Sequence, residues 1–151
     1  MVKVVLLDSA PLGLLTDPKS TRAAVACRAW AHGLKAAGHR VVVPEIIDYE
    51  LRRELIRAGK VVGIAALNAV AVQFEYLSLD TRTMLRAADL WAQARQTGRP
   101  TAGNKNIDID IDMILVAQAE TLQLPNTVIA TDNLRHLRHF FPADQWANIL
   151  P

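Results

Sequence analysis

The chain has 151 residues, 51% of them hydrophobic and 21% charged, and carries a formal net charge of +2. That length and balance fit one domain spanning residues 1–151 with a sizeable core, and they exclude wholesale disorder. So small a net charge neither demands a polyanionic partner nor repels one.

Lys3 to Leu7 is a short apolar run closed by Asp8, which predicts a buried strand with an acid at its carboxyl end. The run is too short for a signal peptide. Ser9 to Ser20 contains Pro11, Gly13, Asp17 and Pro18 and reads as a connection. Ser20 is the expected N-cap of a helix that reaches about Ala37 and stops at Gly38, with Ala26, Trp30 and Leu34 on its inward face. Cys27, the single cysteine, has no internal disulfide partner. It is expected as a small core residue in a reducing cytoplasm.

Arg40 to Val43 predicts a second strand, and Pro44 suits the first position of the helix that follows. That helix runs from Glu45 to about Ala58, with Ile47, Leu51 and Leu55 as its apolar stripe and Glu50 at the stripe's edge. Two readings of this stretch stay open: an acid turned toward a site, or ordinary solvated pairing such as Glu50 with Arg53 and Glu54 with Arg57. Gly59 ends the helix. Val61 to Val72 predicts another, apolar on most sides. This apolar region, extended to Phe74, is interrupted by Gly63, Asn68 and Gln73 and falls short of the roughly 20 residues a membrane span requires, so no membrane partner is expected. Phe74 to Leu79 fits a short strand. Asp80 or Thr81 then caps a helix with Met84, Leu85, Ala88 and Trp91 on one face and Gly98 at its end.

From Thr97 to Asn106 the chain is rich in breakers, and Ile107 to Asp112 then alternates isoleucine with aspartate. We read this as a loop delivering Asp110 and Asp112 to the mouth of a buried helix that continues to Ala119. One carboxylate there is explained by capping. Three in five residues exceed that need and suggest a cation. Asn126 bends the chain into a last buried strand, Thr127 to Thr131, with Asp132 and Asn133 at its carboxyl end and a basic segment holding Arg135, His136, Arg138 and His139 behind it. Trp146 and Ile149 are expected to dock the tail.

Strands alternating with helices, without a hairpin signal, predict an α/β fold of three layers, α/β/α, around a central parallel sheet. Ligands of such sheets collect beyond the carboxyl ends of the strands. Asp8, Asp132, Asn133, Asp112 and Glu50 all fall on that rim by expectation. Clustered carboxylates suit a hard divalent ion, Mg2+ or Mn2+, which in turn suits phosphate chemistry. Zinc is disfavoured by the lone cysteine and the histidine spacing. No nucleophile elbow, phosphate-binding loop or dinucleotide fingerprint is present. Ser9 is a candidate for orienting Asp8 or a phosphate, and Arg135 for contacting the substrate.

Four blocks of the sequence, in this order and spacing, resemble PIN-domain nucleases of the VapC toxin type. They are Leu-Leu-Asp-Ser at Leu6 to Ser9, the stretch from Val43 to Leu55, Asp-Met-Ile-Leu-Val-Ala-Gln-Ala at Asp112 to Ala119, and Ile-Ala-Thr-Asp-Asn-Leu-Arg-His-Leu at Ile129 to Leu137. The resemblance covers nearly the whole chain. It implies a Mg2+- or Mn2+-dependent ribonuclease with Asp8, Glu50 and Asp112 as catalytic acids, Asn133 at the family's variable fourth position, and Asp132 and Asp110 as competing ligands. It further implies an RNA substrate, an antitoxin protein as partner, and a homodimer. Two alternatives stand beside it: a PIN-like module that binds RNA or protein without cutting, and a small-molecule phosphatase, which would need a cap segment.

Overall fold

The computed structural model describes residues 1–97 and 106–151, and of residues 106–109 the backbone alone. Gly98, the expected helix end, and most of the breaker-rich stretch lie outside the described residues, as does the Asp108 side chain.

Five parallel strands form one sheet in the order β3-β2-β1-β4-β5, from β1 (Val4–Leu7), β2 (Arg40–Pro44), β3 (Glu75–Leu77), β4 (Thr127–Ala130) and β5 (Ala143–Asp144). The helices are α1 (Ser9–Thr16), α2 (Arg22–Ala36), α3 (Glu45–Arg57), α4 (Val61–Gln73), α5 (Thr81–Gln96), α6 (Asn106–Thr121) and the short α7 (Leu134–Leu137). The expected α/β architecture holds. All four residues of β1 are buried, as a central strand covered on both faces requires.

Register places the carboxyl ends together. Leu6 aligns with Val42 on one side and Ile129 on the other, and the Asp8 backbone N–H donates to the Ala130 carbonyl at 3.0 Å. Helices α2 and α3 end on left-handed glycines, Gly38 (φ 87) and Gly59 (φ 66), and Asn126 (φ 57) makes the predicted bend. The Trp30 indole N–H donates to the Ile149 carbonyl at 2.8 Å and its ring meets Trp146 at 5.6 Å, so the tail docks as expected.

Several local expectations are corrected. Ser9 to Thr16 is a helix, because Asp8 accepts from Ser9 N–H at 2.7 Å and Pro11 sits in the first turn, where it forfeits no intrahelical bond. Thr21, not Ser20, caps α2 through Ala24 N–H at 3.1 Å. The buried face of α2 is Ala24, Cys27, Ala31 and Leu34, while Ala26 is exposed. Pro44 ends β2 and stands at the N-cap of α3 rather than inside it. On α3 the fully buried side chains are Ile46, Ile47 and Asp48, whereas Leu51 and Leu55 pack half-buried against the core. Strand β3 keeps three residues of the expected six, and Asp80 is the cap of α5.

The largest inversions concern α5 and α6. Met84, Leu85, Ala88 and Trp91 lie on the exposed side of α5; Thr83, Ala87, Leu90 and Ala94 are buried. The Ile-Asp alternation is helical from Asn106 onward, not a loop. Asp112 therefore stands in the second turn of α6, where a capping role is excluded. Its burial needs another reason.

Candidate active site at the carboxyl edge of the sheet

Asp8 emerges from the central strand and caps α1 in one step. Its side chain is 7% exposed, with one carboxylate oxygen taking Ser9 N–H and the other taking the Thr131 hydroxyl at 2.6 Å. Burial raises its pKa above the ordinary carboxylate value, and the charge of Asp132 pushes the same way, while the Thr131 and Ser9 hydrogen bonds oppose both. No basic side chain among the described residues contributes. Asp8 is thus a buried acid whose charge meets two neutral donors and no cation among the described residues.

Thr131, fully buried at the end of β4, extends the connection. Its oxygen also accepts from Asn133 N–H at 2.8 Å, and the Asn133 side-chain amide donates to Asp112 at 3.3 Å. Asp112 is itself 7% exposed. A continuous path of hydrogen bonds therefore runs Asp8–Thr131–Asn133–Asp112 and joins β1, β4 and α6. Asp112 heads a row with Val116 and Ala119, both buried, so helical spacing carries the acid inward with the core face.

The other candidates are placed as follows. Glu50 lies half-buried on α3, which packs against both α1 and α6, the helices that hold Asp8 and Asp112. Asp132 is exposed, so the hydrogen-bonded position beside Asp112 is that of Asn133. Asp110 is exposed and faces a cavity of about 370 Å3 between α5 and α6, lined also by Met84, Ala88, Trp91 and Ile114. Asp110 thus lies on the cavity side of α6, whereas Asp112 is among its buried positions. Ser9 is half-buried beside Asp8, and Arg135 is exposed on α7. Cys27 is buried with its thiol pushed up to about 12, largely by desolvation, which rules it out as a nucleophile at neutral pH.

Sequence reading missed Thr131 as a site residue and took it as the last residue of a strand. The available signal was its position: the last β-branched residue before two polar ones, on a strand next to the one ending in Asp8. A second omission was Asp48, buried and held by Arg52 through bonds of 2.9 and 3.0 Å, with Arg52 also reaching Asn68 at 2.8 Å. That network is internally neutralised and leaves nothing for a ligand.

Hard oxygen donors predominate, the chemistry of a magnesium or manganese site. Asp8 and Asp112, with Asn133 between them, fit such an ion in donor type, and an unneutralised buried Asp8 fits it in charge. Among the described residues, however, no group of three His, Cys, Asp or Glu side chains stands close enough to hold a metal. No helix of the described residues is long and apolar enough to cross a membrane.

No family model matches the chain, and no curated protein matches it in sequence. Solved structures do match in fold. A chain of the VapBC2 complex from Rickettsia felis, crystallised with a promoter DNA fragment, superimposes with a TM-score of 0.68 at 14% identity, over 95% of this chain and 98% of that one. The VapBC-1 complex of nontypeable Haemophilus influenzae gives 0.65 at 17% identity, over 96% and 99%. DNA-bound VapBC from Salmonella typhimurium gives 0.61 at 19% identity, over 97% and 99%. The chain has a PIN-like fold over nearly its whole length.

Proposed function

We propose that this protein is a divalent-metal-dependent endoribonuclease and the toxin member of a toxin–antitoxin pair. The observation that carries the reading is Asp8, a buried carboxylate without a cationic partner among the described residues, tied through Thr131 and Asn133 to Asp112 at the carboxyl edge of the sheet, where such folds collect ligands. Asp8, Asp112 and Asn133 would hold Mg2+ or Mn2+. When bound, the ion supplies charge neutralisation at the phosphate and a water of lowered pKa.

The chain's own residues have separate tasks. Thr131 and Ser9 N–H favour the ionised form of Asp8 against its burial. The Asn133 amide fixes the orientation of Asp112. Glu50, half-buried on α3, would accept the proton of the attacking water. Arg135, exposed behind β4, contacts the RNA backbone beside Ser9.

The partner half of the reading draws on the VapBC complexes that share the fold. It also draws on a groove between α1, α3 and α4, lined by Leu51, Leu55, Val61 and Val62 together with Lys19, Lys60 and a single acid, Asp17. Apolar walls with two lysines against one acid suit an amphipathic antitoxin segment of acidic character. The exposed Met84, Leu85 and Trp91 of α5 provide a separate apolar face for a second copy of the chain.

One observation favours the rival reading, a PIN-like module that binds RNA or protein without cutting: the absence, among the described residues, of three acidic side chains grouped as a metal site. Incubation with single-stranded RNA separates the two. The ribonuclease cuts with Mg2+ or Mn2+, stops with a chelator and is inactive as Asp8→Asn. Binding without cleavage at any metal concentration favours the module.

A further inference from the structure

Two adjacent arginines on α3 are in opposite circumstances. Arg52 donates from all three of its guanidinium nitrogens, to Asp48 and Asn68. Arg53 is half-buried, and its guanidinium lies 5.3 Å from the centre of the Tyr49 ring, a cation–π contact one helical turn back. The Arg53 Nε–H is shut off from water and has no hydrogen-bond partner among the described residues. Buried donors are nearly always satisfied, so one left open calls for an acceptor, and an outward turn of the guanidinium would bring the N–H to one outside the chain. The Tyr49 ring itself is 54% exposed, an unusual surface position for a large aromatic.

Location gives the acceptor its identity. Arg53 is three residues beyond Glu50 and shares its side of the helix. Arg135 lies across the sheet, behind β4, and β1 with Asp8 runs between the two. A planar guanidinium stiffened by a ring is suited to a phosphate oxygen, and the exposed ring beside it to a nucleobase face.

We infer that the Tyr49–Arg53 stack is a phosphate-binding subsite that holds the RNA backbone on the α3 side of the acidic centre. This rests on the ribonuclease reading. The guanidinium turns on its stack to offer the open Nε–H and a terminal N–H to one phosphate, while the Tyr49 ring supports the adjoining base.

The test is binding of a labelled single-stranded RNA oligonucleotide to the full chain in chelator, over a range of salt concentrations. Each phosphate contact adds about 0.7 to the logarithmic salt slope for a single strand. Arg53→Ala should lower the slope by about that amount and weaken binding roughly tenfold, the scale of one charge-assisted hydrogen bond. Arg53→Lys should keep the slope, and Tyr49→Phe should match the parent. Arg57→Ala removes the same charge from α3, at a residue paired with Glu54 at 2.9 Å, and should leave the slope nearly unchanged. With metal present, Arg53→Ala should raise KM and spare kcat. The inference is overturned if Arg53→Ala keeps the parental slope, or if Arg57→Ala lowers it equally. A parent that cuts RNA while Arg53→Ala binds normally sinks the subsite alone. A parent that neither binds nor cuts RNA removes the ribonuclease reading and the subsite with it.

Discussion

The Thr131 hydroxyl donates to Asp8 at 2.6 Å, and its oxygen accepts from Asn133 N–H at 2.8 Å, so one buried side chain sets both the charge state of Asp8 and the start of the turn that carries Asn133. The bond to Asp8 acts against burial, favouring the carboxylate. Thr131→Val keeps the shape and removes the donor. Asp8 then holds its proton to higher pH, and the acid limb of the pH–rate profile should move upward. Thr131→Ser should restore it. Identical acid limbs in parent and Thr131→Val would show that the hydroxyl does not tune Asp8.

Because the folded-state pKa of Asp8 is raised above its unfolded value, the folded protein binds this proton more tightly than the unfolded chain. Its contribution to stability therefore falls as pH climbs from the unfolded pKa to the folded one, and the deficit persists at neutrality. Asp8→Asn, which can still accept from Ser9 N–H, should melt higher than the parent at pH 7 in chelator, with the gap closing at acid pH. Mn2+ at a hundredfold excess over its dissociation constant should stabilise the parent by about 2.7 kcal/mol and the variant much less. Equal manganese responses of the two proteins would remove Asp8 from the metal site.

The sheet and most helices were legible because apolar runs, glycine stops and strand-end acids are local signals. Two features were not. The Ile-Asp alternation satisfies the period of a strand, yet Ile111 with Leu115 and Asp112 with Val116 are also four apart, and both pairs are buried on α6. The second was the α5 face, where Met84, Leu85 and Trp91 looked like core. Size and hydrophobicity suggested burial, whereas the smaller Thr83, Ala87 and Ala94 permit close approach to α6. At the site, the acids were readable by type and by their place after strands. The hydrogen-bond path through Thr131 was not, because it joins residues 123 apart in sequence.

The different settings of Asp110 and Asp112 give a sharp ranking. Asp112 is buried and bonded to Asn133, and Asp110 is exposed beside Trp91 and Met84. Asp112→Asn should lose cleavage by at least a hundredfold, of the order assigned to a single placed catalytic group. Asp110→Asn should keep nearly full activity. Comparable losses at both positions, measured as kcat/KM on one RNA, would mean that local negative charge matters more than placement.

Arg52 offers a test on stability alone. Asp48 is 5% exposed and Arg52 neutralises it through two bonds. Arg52→Ala leaves a buried charge uncompensated and should cost about 3 kcal/mol, the low end for a broken buried pair because Arg52 itself is part-exposed. At this chain length that is a fall of roughly 5–10 °C in Tm. Replacing both residues, Asp48→Leu with Arg52→Leu, should recover most of the loss, because the desolvation penalty leaves with the pair. A double variant no more stable than Arg52→Ala would show that the pair fixes the position of α3 beyond its own charge balance.

Asn133 decides whether the fourth position serves as a ligand or as a spacer. Its amide donates to Asp112 at 3.3 Å, and this orientation is the only one in which the side chain does not set oxygen against carboxylate. Asn133→Asp exchanges that donor for a further negative charge beside Asp112, in a neighbourhood that already holds Asp8 and Asp132. In chelator the like charges repel, and Tm should drop by a few degrees, the equivalent of about 1 kcal/mol in a domain of this size. Added Mn2+ reverses the balance, since the new carboxylate is a better donor to a hard cation than an amide oxygen. The variant should then gain more in Tm than the parent and bind the metal more tightly. Asn133→Ala, which removes donor and ligand together, should show a smaller manganese response than either. If Asn133→Asp and Asn133→Ala respond to manganese alike, the residue orients Asp112 and takes no part in holding the ion.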